Sequence, residues 1–333
     1  MKRKTLFVTL SLVTLAVVLT LVVSLFGEKQ GVLYAIADLG PCRHVSDLFD
    51  INDSGQILVA TRMPDETWST HLIEPDGTRI SLEKENMLVY GNGINNKGQV
   101  VGFSRMKGTN ETTAFLWDSA RGFSFIEELD FGLCINDREE VAGLYLDENQ
   151  NQIPCVWKKG SGIADLAEYF QGINPSLEGI NNRGVVVGSC YTKDKGHKAL
   201  IWDATHGVRE IPPLGSHGIT PDSLNDLNQV LCSSGDVGRL ENALLGIRDW
   251  VKSGFKEGLD LRKYRQGRHK RFFIWENGQL RFIDDAFRPS DGWKLAWARG
   301  INNKGEIVGT GELHGEPHAF LLTPIDQVEK SKP

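Results

Sequence analysis

Short runs of alternating apolar and polar residues recur along this chain, and six of them end in the same way. Each run closes on Ile-Asn or Leu-Asn, passes through a polar turn, and resumes as a strand rich in β-branched residues. The copies begin at Ile51, Ile94, Ile135, Ile180, Leu224 and Ile301, so they lie 43, 41, 45, 44 and 77 residues apart. A period of about 40–45 residues with several short strands in each unit indicates a propeller-like array.

The second unit shows the pattern most clearly. Val89–Ile94 and Gln99–Ser104 read as paired strands around a turn, a third strand ends in Trp117, and Phe123–Ile126 follows as a fourth. Four short antiparallel strands in one period make one blade. The pattern therefore predicts an all-β fold, a six-bladed β-propeller-like repeat array.

The hairpin turn has its own sequence signature. Asn opens the turn because its side chain can bond the backbone two residues on. Gly98 and its equivalents suit the left-handed position of a turn with a G1 bulge. Asn228 replaces that glycine in the fifth unit, and Asn tolerates this conformation. Glu139 replaces it in the third, so we expect that hairpin to use another turn.

The sixth unit lacks one of its four strands. The sixth unit stops after Phe320-Leu321-Leu322 and lacks a fourth strand, whereas residues 32–40 read as a strand without a unit of their own. An N-terminal strand that completes the last blade would close the ring and remove an open sheet edge. We therefore expect deletion of residues 32–40 to destabilise the whole domain.

The N-terminus predicts a membrane segment. Residues 1–4 form a basic tip, and residues 5–26 are uncharged and would span roughly 33 Å as a helix, enough for a hydrocarbon core of about 30 Å. The basic end should stay in the cytoplasm, which places the rest of the chain outside. The segment is either an uncleaved anchor or a cleaved signal, in which case residues 1–27 are lost and the protein is secreted. Residues 27–31 are a linker, residues 32–325 the propeller, and residues 326–333 a polar tail.

Composition narrows the function. A net charge of -6 argues against nucleic-acid binding. The five cysteines match no disulfide scaffold or zinc site, and no catalytic motif or cofactor-binding loop is present. His71, His197 and His318 stand at different offsets in their units, which argues against a metal site. The recurring Asp53, Asp137 and Asp226 are assigned to turn formation. We therefore predict no catalytic residues, no cofactor and no metal.

The fifth unit departs from the pattern through an insert of about 29 extra residues, at about 237–271. Its first half has helical spacing, and its second half is basic. The structural interpretation is a helix that packs on the side of the propeller, with its charges in solvent. The functional interpretation is an electrostatic patch that binds an acidic partner, such as anionic lipid or an envelope polymer. The candidate contact residues are Arg262, Lys263, Arg265, Arg268, Lys270 and Arg271, with Trp293 and Trp297 as exposed aromatics outside the repeat period.

These repeats resemble the bacterial exported proteins known as the HAF family. The literal match is His318-Ala319-Phe320, and the wider one combines Asp38-Leu39-Gly40, the segments Ile94–Gly102 and Ile180–Gly188, and Ala114–Trp117. The resemblance covers about residues 32–323. It implies an extracellular or envelope-located repeat protein and supplies no catalytic residues.

Two functions from different classes follow. One is a non-catalytic binding or scaffolding module in the cell envelope, with an unknown protein or envelope polymer as partner and the membrane contacted through residues 5–26. The alternative is an extracytoplasmic propeller enzyme acting on a glycan or another envelope polymer. Carboxylates that converge in one cleft with raised pKa values would favour the enzyme. A purely structural role is a third possibility.

Overall fold

The protein is a six-bladed β-propeller. The computed structural model describes residues 34–43, 48–63, 67–193, 196–213, 218–234, 270–283 and 292–325, and within these ranges all the regular elements are strands, 24 of them in six four-stranded antiparallel sheets. Blades 1 to 3 consist of β2 (Leu48–Ile51), β3 (Ile57–Arg62), β4 (Trp68–Ile73) and β5 (Arg79–Ser81); β6 (Met87–Ile94), β7 (Val100–Met106), β8 (Thr112–Asp118) and β9 (Gly122–Ile126); and β10 (Phe131–Ile135), β11 (Glu140–Leu146), β12 (Gln152–Lys158) and β13 (Gly162–Asp165).

Blades 4 to 6 follow the same order. They consist of β14 (Ile173–Ile180), β15 (Val186–Thr192), β16 (Gly196–Asp203) and β17 (Gly207–Ile211); β18 (Ile219–Leu224), β19 (Val230–Ser234), β20 (Arg271–Glu276) and β21 (Gln279–Phe282); and β22 (Trp293–Ile301), β23 (Ile307–Leu313) and β24 (Glu316–Pro324), with β1 (Tyr34–Pro41) as the outer strand of the last blade.

The N-terminal strand closes the ring, as the sequence predicts. β1 pairs antiparallel with β24, from Tyr34 opposite Pro324 to Pro41 opposite His318. The His318 ring lies 2.8 Å from the Asp38 carboxylate, measured from Nδ1 to Oδ1, and adds a side-chain contact to the ladder. The last blade is therefore assembled from both ends of the repeat array, which removes the open edge that β24 would otherwise present.

The core lies between neighbouring blades. In one cluster, Leu58 and Leu72 of blade 1 pack with Val100 and Phe115 of blade 2. Two of the tryptophans that recur with the repeat, Trp117 and Trp157, are 7 % and 9 % exposed and therefore belong to this core. Each sheet packs its faces against the neighbouring blades, and the inner strand of each blade lines the central channel.

The turn of the third unit corrects the sequence-based expectation. Glu139 adopts a φ of 60°, and its N–H donates to the carbonyl oxygen of Asn136 at 3.1 Å. Gly98 makes the same bond to Asn95 with a φ of 74°. The third hairpin therefore uses the same turn as the others, although a side chain in this region is strained.

Several predicted features lie outside the described residues. These are the basic tip and membrane segment at residues 1–26, the linker at 27–31, the helix in the insert, and the tail at 326–333. In the part of the chain that the structure does describe, no helix has the length and apolar character needed to cross a membrane.

Candidate functional site

Six buried asparagines, one from each blade, surround the channel at the hairpin turns. We call them the amide ring: Asn52, Asn95, Asn136, Asn181, Asn225 and Asn302, each 2 to 4 % exposed. Asn95 shows the pattern, since its Oδ1 accepts from the N–H groups of Lys97 at 3.1 Å and Gln99 at 3.0 Å, which fixes its own turn. Its Nδ2 donates to the carbonyl oxygen of Asn136 in the next blade at 3.0 Å.

The amide ring closes on itself. Every member donates from Nδ2 to the carbonyl oxygen of the next member, and Asn302 donates to Asn52 at 3.2 Å. One residue type therefore both shapes the hairpin and joins it to its neighbour, which explains why Asn recurs in all six units.

The next residue of each turn builds a second closed ring. Around the channel the residues alternate between Asp and Asn, and we call this the alternating ring: Asp53, Asn96, Asp137, Asn182, Asp226 and Asn303. Each backbone N–H donates to the side-chain Oδ1 of the next residue at 2.7 to 2.8 Å. Asn182 also bridges two carboxylates, donating from Nδ2 to Oδ2 of Asp137 at 2.7 Å and of Asp226 at 2.8 Å.

The alternating ring corrects the role predicted for the aspartates. Asp53, Asp137 and Asp226 were expected to form their own turns, but their carboxylates accept hydrogen bonds from the neighbouring blades. Their contribution is to hold one mouth of the channel together.

Three positions before the amide-ring asparagine, the inner strand bulges in five of the six blades. In blades 2 to 6 the register with the second strand skips one residue at this position, and those residues are Asn92, Leu133, Glu178, Asp222 and Arg299. A bulged residue is left out of the ladder, and its side chain is re-aimed. All five line a central cavity of about 190 Å³, and we call them the channel tier.

Small residues beside the bulges keep the channel narrow. A Cβ at Gly179 would lie 2.8 Å from the Cβ of Leu224 and 2.9 Å from its backbone nitrogen. A Cβ at Gly300 would lie 2.8 Å from Oδ1 of Asp50. Glycine therefore lets adjacent inner strands approach closely, and this brings channel-tier side chains from different blades together.

Blade 1 has a continuous register instead of a bulge, and Asp50 lines the cavity there. Its Oδ1 accepts from the N–H of Ile51 at 2.9 Å, and its Oδ2 accepts from the N–H of Ile94 at 3.0 Å. Burial raises the Asp50 pKa to about 6, although these two hydrogen bonds oppose the shift. Asp50 thus has partners on both oxygens and joins blade 1 to blade 2.

Further charged side chains of the channel concentrate in blades 4, 5 and 6. A second cavity of about 280 Å³ shares Glu178, Asp222 and Arg299 with the first and adds Lys270 and Trp297. We call these five residues the charged pocket. Arg299 Nη1 lies 4.0 Å from Asp222 Oδ1, and both the Lys270 ammonium and the Arg299 guanidinium lie over the Trp297 ring.

Three side chains of the charged pocket, Asp222, Glu178 and Lys270, have shifted pKa values. Burial raises the Asp222 pKa to about 7; Ser233 and Arg299 oppose the shift, and Glu178 adds to it. Burial also raises the pKa of Glu178 and lowers that of Lys270. Among the described residues, neither Oδ2 of Asp222 nor Nε of Arg299 has a hydrogen-bond partner. Shifts of this kind are typical of functional sites, although structural ion networks produce them as well.

The predicted contact residues separate into three groups. Arg262, Lys263, Arg265 and Arg268 lie outside the described residues. Lys270 and Trp297 belong to the charged pocket. Arg271 is the first residue of β20, with its guanidinium 4.6 Å from the centre of the Phe282 ring, so the predicted insert extends one residue too far.

Trp293 is a second correction. It was expected to be an exposed aromatic, but it is 7 % exposed and packs edge-to-face against Phe320, with ring centres 6.0 Å apart. Trp297, four residues later in β22, is half-buried and lines the charged pocket. The register shift between Leu295 and Trp297 breaks the alternation of the strand, so the two tryptophans contact different neighbours.

The sequence analysis did not predict the channel tier, although the sequence around these residues contains a signal for it. Its position carries Asn, Leu, Glu, Asp and Arg in five units, whereas the neighbouring residues are mostly small, such as Gly91, Gly93, Gly132, Gly179 and Gly300. The flanking glycines are the signal that could have found this tier, because glycine inside a strand pattern suggests a bulge or a close approach of two backbones.

Comparison with known proteins shows the fold and nothing finer. No protein-family model matches the sequence, and no curated protein matches it. A gluconolactonase structure from Xanthomonas campestris has 11 % identity and a TM-score of 0.50, over 87 % of this chain and 89 % of that one. TolB from Acinetobacter baumannii has 10 % identity and a TM-score of 0.49, over 81 % of this chain and 64 % of TolB. An oligogalacturonate lyase in complex with manganese has 12 % identity and a TM-score of 0.43, over 91 % of this chain and all (100 %) of the lyase.

Proposed function

We propose that this propeller is an exported binding module that takes a small polar ligand into the charged pocket. The observation that carries the proposal is the set of three bulges in blades 4, 5 and 6, which bring Glu178, Asp222 and Arg299 to one cavity. Pockets that bind small molecules are concave and contain a few convergent polar groups.

The fold itself does not need charges at this position. Leu133 occupies the channel tier in blade 3, so the bulge accepts an apolar side chain. Burying carboxylates and cations costs several kcal/mol for each ion unless they are well paired. Asp222 and Arg299 are incompletely paired, which supports a role for their charges beyond holding the blades together.

The location of the module is part of the proposal and rests on the sequence. The basic tip followed by the uncharged segment 5–26 supports export, with the propeller outside the cytoplasm. The resemblance to the exported HAF repeats supports the same location. A partner protein or envelope polymer bound by the insert is a further part of this proposal, based on the basic residues Arg262, Lys263, Arg265 and Arg268.

An enzyme on the same site is the second candidate. Asp222 has a pKa raised to about 7, and the neighbouring Glu178 also has a raised pKa. A general acid or base works best when its pKa lies near the operating pH. This observation favours acid–base chemistry in the charged pocket, for instance on a glycan, as the alternative to simple binding.

A ligand panel with the full chain in mild detergent tests both candidates. Thermal unfolding would be followed with millimolar amino acids, monosaccharides, polyols, dicarboxylates and primary amines. We expect one class to raise the midpoint for wild type but not for Asp222→Asn, because ligand binding stabilises only the folded state.

The control is Glu312→Gln, since Glu312 forms an exposed pair with Lys294 on the same blade as Arg299. It should respond to ligand like wild type. A panel with no response in any class would contradict a small-molecule function. Conversion of a stabilising compound during incubation, detected by mass spectrometry and lost in Asp222→Asn, would favour the enzyme.

A further inference from the structure

The charged pocket contains incompletely balanced charge of both signs. Its carboxyl groups, Glu178 and Asp222, are buried close enough for Glu178 to raise the pKa of Asp222. Its cations, Lys270 and Arg299, lie over one tryptophan ring, and Arg299 is among the causes that lower the pKa of Lys270. Each pair of like charges is therefore crowded, and the contact between the opposite charges of Arg299 and Asp222 is long at 4.0 Å. Arg299 also attracts Glu178, and Lys270 attracts Asp222.

Polar atoms around this cavity also remain unsatisfied. The Asp222 side chain is only 4 % exposed, yet its Oδ2 has no hydrogen-bond partner among the described residues. The same holds for Nε of Arg299 and for Oγ of Ser234, which also lines the cavity. A buried polar atom without a partner costs roughly 1–3 kcal/mol, so a ligand that supplied partners would recover part of this free energy.

A ligand with a single charge fits this arrangement poorly. A simple anion would approach Lys270 and Arg299 but would be repelled by the two carboxyl groups. A simple cation would approach the two carboxyl groups but would be repelled by Lys270 and Arg299. A molecule that carries an ammonium and a carboxylate a few ångströms apart can place each group against the opposite charge and relieve both crowded pairs.

We propose that the charged pocket binds a small zwitterion, an α-amino acid, with its ammonium against Glu178 and Asp222 and its carboxylate against Arg299 and Lys270. This inference rests on the proposed function and specifies its ligand class. The cavity of about 280 Å³ suits a small amino acid, because it lies just below the usual range of about 300–1,000 Å³ for drug-sized ligands. An ammonium has three N–H donors, and one of them could bond to Asp222 Oδ2, which has no partner among the described residues.

Isothermal titration of the full chain with glycine and L-alanine is the direct test. We expect both to bind at pH 7, and ethylamine, acetate and glucose to bind at least about 30-fold more weakly. Asp222→Asn and Lys270→Gln should each weaken binding about 30-fold or more, as expected when one partner of a buried charge pair is removed. The control variants Glu312→Gln and Lys294→Gln, from the exposed pair on blade 6, should bind like wild type.

Proton release gives a readout that a merely structural role would not change. Near pH 7 the Asp222 carboxyl, whose pKa is about 7, is roughly half protonated, and a bound ammonium favours its ionised form. Binding should therefore release protons, and titrations in phosphate and in Tris should differ in enthalpy because the two buffers take up protons with different heats. Asp222→Asn should abolish that difference, whereas the control Glu312→Gln should keep it.

The outcomes separate the two proposals. Glucose or a polyol that binds while both amino acids fail would overturn the zwitterion inference and leave the ligand pocket in place. Amino-acid binding that is unchanged in Asp222→Asn and Lys270→Gln would also overturn it, because the ligand would then sit elsewhere. No binding by any of the compounds would contradict the inference together with the proposed function.

Discussion

Single amide side chains hold both the turns and the joints between blades. Asn95 uses its full hydrogen-bonding capacity, since its Oδ1 accepts from two backbone N–H groups and its Nδ2 donates to the Gln99 side chain at 2.8 Å and to the carbonyl oxygen of Asn136. No other side chain offers both an acceptor and two donors at this length. Aspartate, although isosteric, would place an oxygen against two acceptors.

Removal of one such amide should be costly. We expect Asn95→Ala to lower the free energy of unfolding by about 3 kcal/mol or more, because it leaves several buried backbone groups without partners. Asn96→Ala, at the exposed neighbouring position of the alternating ring, should lower it by about 1 kcal/mol. Urea denaturation followed by circular dichroism checks both values, and equal losses would show that the amide ring has no special role.

The bulged inner strand is the element that turns a blade into part of a site. Each bulge removes one residue from the ladder, and the glycines around it let the next inner strand approach. The cost of replacing a glycine depends on which atoms the added Cβ would contact. At Gly91 the nearest atom is Cγ2 of Thr70 at 2.7 Å, whereas at Gly179 the nearest atoms are Cβ and N of Leu224.

This difference predicts which substitution can be rescued. Gly91→Ala should lose roughly 1–3 kcal/mol of stability through overpacking, and Thr70→Ser should recover most of it by removing the methyl group while keeping the hydroxyl bond to Val89. Gly179→Ala should lose a similar amount or more, and Leu224→Ala should not recover it, because Cβ and the backbone remain. Chemical denaturation of the four variants measures this, and rescue at Gly179 would contradict the close approach of the two strands.

At the scale of the whole molecule, one strand of eight residues decides whether the ring is closed. β1 brings the N-terminal end of the propeller to its last blade, where Tyr34 is buried at 5 % exposure and Asp38 contacts His318. Without β1, β24 would expose a row of unpaired backbone groups.

Two truncations test the closure. A chain that lacks residues 1–31 keeps β1 and should melt as one cooperative unit. A chain that lacks residues 1–40 should melt about 10 °C lower or more, since each lost kcal/mol lowers the midpoint by about 2–4 °C, and its open edge should promote association. Scanning calorimetry and light scattering make the comparison, and identical melting of the two chains would show that β1 is dispensable.

The parts of this protein that repeat could be predicted from the sequence, and the parts that vary could not. The six units, the closing strand and the buried Trp117 follow from periodicity, since a repeated residue reports a repeated structural need. The channel tier depends on a bulge. The flanking glycines hint at the bulge, but local propensity does not show which side chain it directs into the channel. The turn at Glu139 was mispredicted because contacts with neighbouring blades, such as the bond from Gln99 to its side chain at 2.9 Å, override the local preference for glycine.

The bulges also separate two tasks that share one strand. A residue outside the ladder can change without disturbing the backbone bonds on either side, so Asn, Leu, Glu, Asp and Arg all occur at equivalent places in one molecule. The interior of the ring is therefore a set of independently exchangeable positions on a constant frame. A descendant of this chain, or a protein engineer, could alter what the channel accepts one blade at a time, while the amide ring continues to hold the circle closed.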